Sequence, residues 1–192
     1  MSSPTRTVLL TGARGIGKTT ACLRLRSRAL AAGMSCGGFL TIPVHDREGR
    51  RLGLDLLDAT TGNRRRLASC RHDLGGPRVG PYRMKAETFE WGLQQARSAL
   101  DRTALLFFDE IGPLELEHDQ GFAPLRELLA ARTASALVVV VRPSLVEAIA
   151  AGWDLTGAGR FEVTTSDRDA APASLLARLF PELSSGRPPG VA

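Results

Sequence analysis

Residues 12–19 read GARGIGKT, a GxxxxGK[ST] spacing whose residue types suit the holding of a polyphosphate. Gly12, Gly15 and Gly17 let the backbone curl tightly and approach an anion without side-chain clash. Turned N–H groups, together with the positive end of a following helix, cradle phosphate oxygens. The expected nucleotide-binding segment is therefore Gly12, Ala13, Arg14, Gly15, Ile16, Gly17, Lys18 and Thr19, with Thr20 just behind. Lys18 is placed to reach the β- and γ-phosphates as a point charge, and Thr19 to offer a hydroxyl to Mg²⁺. Of 25 basic residues only Lys18 and Lys85 are lysines, so a chance lysine at the required position is a poor explanation.

Such a loop needs an acidic partner. Mg²⁺ prefers oxygen ligands and keeps several waters, and a carboxylate at the tip of a neighbouring strand is the usual way to hold it. Asp109 follows the apolar run ALLFF (104–108) and fits that role, which makes Thr19 and Asp109 the expected metal residues. Glu110 comes next, where a second carboxylate can polarise a water in line with the γ-phosphate. Lys18 and Glu110 are the expected catalytic pair, and Glu110 tilts the chemistry from phosphoryl transfer toward hydrolysis. Glu115 and Glu117 are expected in a loop that overhangs the same site. Arg14, inside the loop, and Arg142, after the apolar run 137–141, are candidates for stabilising charge on the γ-phosphoryl oxygens, with Arg142 favoured because strand tips line such sites.

The pattern around these residues predicts the elements that position them. Residues 6–11 read as a buried strand, 18–32 as a helix ended by Gly33, and 86–100, 122–132, 143–151 and 172–180 as further helices. Residues 104–108, 136–141 and 159–164 read as strands, the first two apolar on both faces, as parallel strands covered by helices are. Strand and helix alternate, which predicts an α/β fold with a mostly parallel sheet flanked by helices. Residues 37–44 and 52–58 flank the polar turn HDREGRR, and 64–84 holds short strand-like pieces, so the stretch around 37–84 reads as a β-rich insertion. Residues 1–183 are expected to be a single domain, and 184–192 (SSGRPPGVA) a flexible tail.

Composition excludes several classes. At 43% hydrophobic and 23% charged, the 192-residue chain is globular rather than disordered. No apolar run approaches a membrane span, and the N-terminus has no signal-peptide layout. Cys22, Cys36 and Cys70 form no CxxC pair and imply neither a disulfide framework nor a zinc site, which points to a reducing cytoplasm. The net charge of +5 comes with 5% aromatics, and Arg64, Arg65 and Arg66 carry no interleaved aromatic, so nucleic acid is not the expected partner. Asn63 is the lone asparagine, which removes an NKxD guanine-reading motif. An LSGGQ string, a GxGxxG fingerprint and the HRD and DFG motifs of protein kinases are also missing from the sequence.

What remains is a small P-loop nucleoside-triphosphatase or a small-molecule or nucleotide kinase. The sequence resembles the small nucleoside-triphosphatases of thermophilic prokaryotes and animals, the family that includes cancer-related nucleoside-triphosphatase. The resemblance is carried by TGARGIGKTT (11–20), GGFLT (37–41), RLGLDLLD (51–58), RVGPYRM (78–84), Phe89-Glu90, FFDEIGPLEL (107–116) and VTTSDRD (163–169). It implies a nucleotide-kinase-like α/β core and Mg²⁺-dependent hydrolysis of ATP, GTP and other nucleoside triphosphates with loose base preference. It also implies triphosphate on residues 12–19, Mg²⁺ at Asp109 and the attacking water at Glu110. By the same resemblance Arg168 is a candidate contact to base or phosphate. Four places in the chain depart from the family pattern: Ile42-Pro43, Pro81, Pro113-Leu114 and Asp167.

Overall fold

The computed structural model describes residues 6–130, 132–134 and 136–184. Among them the strands β1 (Arg6–Thr11), β2 (Cys36–His45), β3 (Arg51–Asp58), β4 (Arg64–Ser69), β5 (Arg78–Val79), β6 (Tyr82–Met84), β7 (Leu105–Ile111), β8 (Ala136–Val141) and β9 (Gly159–Glu162) share one sheet. Its order is β5-β6-β4-β3-β2-β7-β8-β1-β9. The pairs β2–β7, β7–β8, β8–β1 and β1–β9 are parallel, and β3, β4, β6 and β5 extend the sheet antiparallel from β2.

Period-2 alternation explains why the central runs are apolar throughout. Leu105 and Phe107 of β7, with Val138 and Val140 of β8, face α1 (Lys18–Ala31) and α6 (Ala171–Leu179), where Cys22, Leu25 and Leu175 are buried. Leu106 and Phe108, with Leu137 and Val139, face the other way. There they meet Phe89 and Leu93 of α2 (Ala86–Ala99), Leu125 of α4 (Leu125–Ala130) and Ile149 of α5 (Val146–Gly152). The fold is therefore the expected α/β arrangement with helices on both faces.

Four local differences follow from packing. The β-rich stretch is not a separate lobe: β2 pairs parallel with β7 over Cys36–Phe39 and antiparallel with β3 over Phe39–His45, so one strand belongs to both parts. The expected helix 122–132 is shorter, since residues 121–124 form turns before α4. The expected helix 143–151 begins as a 3-10 turn, Pro143–Leu145, and ends at Gly152. The expected loop with Glu115 and Glu117 is a short helix, α3 (Pro113–Glu117). Glu115 does not overhang the site through a loop: it is 6% exposed and accepts the backbone N–H groups of Gly112 (2.9 Å) and Phe122 (3.1 Å). Glu117 is exposed, away from the cavity. A last helix, α7 (Pro181–Ser184), closes the described chain, and the tail expected from 184 onward otherwise lies outside the described residues.

GGFLT is a packing device. Gly38 has φ +81°, and a Cβ there would run into the Phe107 carbonyl of β7; a Cβ on Gly37 would meet Ala99 and Thr103 at the end of α2. Phe39 then stacks on Phe122 at 4.1 Å between centroids, and Phe122 meets Phe89 edge-on at 4.8 Å, which fastens α2 and the 119–124 segment beneath the strand tips. Gly38→Ala combines a left-handed backbone with a backbone clash and is expected to cost about 3 kcal/mol in urea unfolding. Glu115→Ala strands two buried N–H donors, and a loss of about 2 kcal/mol is expected in the same assay.

Candidate functional site

The loop 12–17 joins β1 to α1 and takes the shape its glycines permit: Gly12, Gly15 and Gly17 all have positive φ, at 139°, 78° and 114°. No side chain caps the first turn of α1 and no acidic residue lies in it, so its N–H dipoles point into the cavity uncompensated by a carboxylate. Lys18 folds back to donate to the carbonyls of Gly12 (2.8 Å) and Ala13 (3.1 Å). Ala13 contributes its carbonyl, and Ile16 anchors the loop on the apolar core beneath it. Arg14, Gly15, Thr19 and Thr20 line the cavity.

The second half comes from β7. Strand pairing with β8 breaks register between Phe108 and Ile111, so Asp109 and Glu110 lie within the strand as it leaves the regular ladder, not after its end as the sequence suggested. Thr19 Oγ1 donates to Asp109 Oδ2 at 2.7 Å, which brings residues 90 apart in the chain together. Thr41, at the close of GGFLT, donates its hydroxyl to the Asp109 carbonyl. Asp109 is 2% exposed; burial pushes its carboxyl up to about 7, against the Thr19 hydroxyl and the Lys18 charge, which favour the ionised form. Cys22, buried beneath the same loop, has its thiol pushed well up by burial and is no nucleophile.

Glu110 is less buried than Asp109 and accepts from Arg142 Nε at 2.6 Å, with side chains 33% and 53% exposed respectively. Arg142 follows β8, the strand between β1 and β7, so it stands between the loop and the two carboxylates. An ion pair this exposed is worth about 0–1 kcal/mol.

Loop, carboxylates and Arg142 open into one cavity of about 700 Å³. Its far wall comes from the β-rich stretch, with Arg51, Leu54, Val79, Pro81 and Tyr82, and Arg51 donates to the Tyr82 hydroxyl at 3.1 Å. Sequence reasoning gave Thr41, Arg51 and Tyr82 no role, although GGFLT, RLGLDLLD and VGPY had drawn attention to their strings.

Arg168 is not among the cavity residues. It is exposed in the 164–169 turn, where Asp167 accepts from the Thr164 N–H (2.7 Å) and Asp169 pairs with Arg24 (3.0 Å). That turn follows Val163, whose carbonyl a Cβ on Gly12 would approach, so its first residues start beside the loop. Of the basic run, Arg66 pairs with Asp55 and Arg65 stacks on Trp91 at 4.8 Å.

The donor set suits a small hard cation. A hydroxyl and a carboxylate stand 2.7 Å apart at the cavity wall, and the described residues contain no group of three or more His, Cys, Asp or Glu that could cage an ion alone. An ion there takes the rest of its shell from water and phosphate oxygens, the habit of Mg²⁺.

Residues 7–176 match the family model described as NTPase. A nucleoside-triphosphatase THEP1 of Methanopyrus kandleri is 35% identical over 162 residues, covering 84% of this chain and 88% of the relative. The solution structure of a human cancer-related nucleoside triphosphatase superposes with a TM-score of 0.71 at 28% identity, covering 95% of this chain and 100% of that one. The crystal structure of THEP1 from the hyperthermophile Aquifex aeolicus, at 24% identity, shares the fold with a TM-score of 0.63 over 90% of this chain and 98% of that one. The family model over residues 7–176 and the 35% identity to the Methanopyrus kandleri protein make the chain a member of the NTPase family of nucleoside-triphosphatase enzymes.

Proposed function

We propose that the chain hydrolyses the terminal phosphate of ATP, GTP and other nucleoside triphosphates with Mg²⁺ as cofactor, releasing the diphosphate and inorganic phosphate. The observation that carries the reading is the 2.7 Å bond from Thr19 Oγ1 to Asp109 Oδ2, which joins the glycine loop to the β7 carboxylate on one cavity wall. In this reading the N–H groups of residues 12–19 hold the phosphate chain, and Lys18 exchanges the Gly12 and Ala13 carbonyls for β- and γ-phosphate oxygens. Thr19 and Asp109 would hold Mg²⁺, which when bound would neutralise charge on the phosphate oxygens. Glu110 takes a proton from water as the water oxygen bonds to phosphorus, and the bridging oxygen leaves with the diphosphate. Arg168, in the turn that starts beside the loop, is our candidate for the nucleoside end.

The depth of the cavity toward Val79, Pro81 and Tyr82 favours one second reading, phosphoryl transfer to a small acceptor, which acceptor-dependent loss of ATP with little turnover in water would reveal. No helix among the described residues is long and apolar enough to cross a membrane, and we place the enzyme in the cytoplasm.

Phosphate release across a panel of nucleoside triphosphates tests the proposal. Lys18→Ala is expected to lose both binding and turnover. Glu110→Gln is expected to bind like the parent and to turn over at least ~10²-fold more slowly. Chelation of Mg²⁺ is expected to abolish release, with recovery on adding it back. A Glu110→Gln enzyme as fast as the parent contradicts the assignment of the base.

A further inference from the structure

We infer that Arg142 reads the γ-phosphate and in doing so releases Glu110, so that the general base comes free only when a triphosphate fills the loop; the inference rests on the proposed role of Glu110. Three observations carry it. The first is position: Arg142 leaves β8, the strand that separates the phosphate loop from Asp109 and Glu110, and it lines the same cavity as Gly15, Lys18 and Thr19. The second is the 2.6 Å bond from Arg142 Nε to Glu110 Oε1. The bond takes up one acceptor site of Oε1 and holds the carboxylate in the orientation that faces Arg142. The third is exposure. With side chains 53% and 33% exposed, the pair holds weakly, so a better partner displaces it easily.

A γ-phosphate is that better partner. Its terminal oxygens present two acceptors in the fork geometry a guanidinium matches, with more negative charge than one carboxylate. Lys18 also meets the phosphates in the proposed reading, but its bonds are to the Gly12 and Ala13 carbonyls and not to Glu110, so its move does not release the base. A bound diphosphate has no γ-oxygens, so Arg142 stays on Glu110 and the base stays engaged. Arg142 thereby links recognition of the triphosphate to hydrolysis and sets the preference for triphosphate over diphosphate.

The test measures dissociation constants of a non-hydrolysable ATP analogue and of ADP, both with Mg²⁺, for the parent and for Arg142→Ala, Arg142→Lys, Glu110→Ala and the double variant Arg142→Ala/Glu110→Ala. Turnover of ATP is read beside them. Arg142→Ala is expected to bind ADP as the parent does and to bind the triphosphate analogue at least tenfold more weakly, with kcat down ~10²-fold or more. Arg142→Lys is expected to recover part of the discrimination and little of kcat. Glu110→Ala removes the competitor for Arg142, so it is expected to gain a few-fold in triphosphate affinity, a gain that vanishes in the double variant. An unchanged triphosphate-to-diphosphate ratio in Arg142→Ala overturns the inference, and so does a gain in Glu110→Ala that persists without Arg142. Because binding is read without turnover, a parent enzyme that bound both nucleotides but hydrolysed neither would refute the base and leave the Arg142 test standing.

Discussion

The site depends on one hydrogen bond, from Thr19 at the head of the first helix to Asp109 on a strand 90 residues later. Neither residue reaches the other unless β1 and β7, with β8 between them, end at the same edge of the sheet. Parallel pairing enforces that edge, and parallel pairing here requires apolar residues on both faces of β7 and β8. The two cores are thus the means by which a glycine loop and a carboxylate are held in contact. The bond also sets the electrostatics. Asp109 is buried deeply enough that its proton is held to near neutrality, and the Thr19 hydroxyl and Lys18 are the groups that oppose this. A cation delivered with a polyphosphate meets a carboxylate that has much to gain from it.

The wall opposite the loop obeys a different constraint. Phe39 stacks on Phe122 and Phe89 meets it edge-on, and Glu115 gathers the N–H groups of Gly112 and Phe122, so the segment after DEIG is tied down by burial. Leu54, Val79, Pro81 and Tyr82 then form an apolar face that looks toward the carboxylates. The cavity thus joins the loop and carboxylates to side chains of the antiparallel extension of the sheet, Arg51, Leu54 and Val79 among them. Arg142 and Glu110 line the same cavity and are joined by a partly exposed ion pair.

Much of this was legible in the sequence because the signals were local. The glycine spacing and Lys18 announced the loop, and the continuous apolar runs announced buried parallel strands. Asp109 and Glu110 were found because carboxylates end such a run. What was missed depended on distant contacts. Glu115 looked like part of an acidic loop, since nothing in PLELE reveals that two N–H groups ten residues apart converge on one carboxylate. Gly37 and Gly38 gave no hint that Ala99, Thr103 and Phe107 would press against them. The dual membership of β2 depended on pairing with a strand some 70 residues later, which periodicity within β2 does not encode. Arg142 was picked out by its place after a strand, but its bond to Glu110 was visible only once β7 and β8 lay side by side.

The account stands on the convergence of loop and carboxylate on a single metal-bound polyphosphate. The most direct measurement is the Mg²⁺ dependence of triphosphate affinity in Thr19→Val, Asp109→Asn and the combined variant. Two residues that serve one ion give non-additive losses, so each single change removes most of the Mg²⁺ effect and the combination removes little more. Fully additive losses, or an affinity in the parent that ignores Mg²⁺, contradict the account.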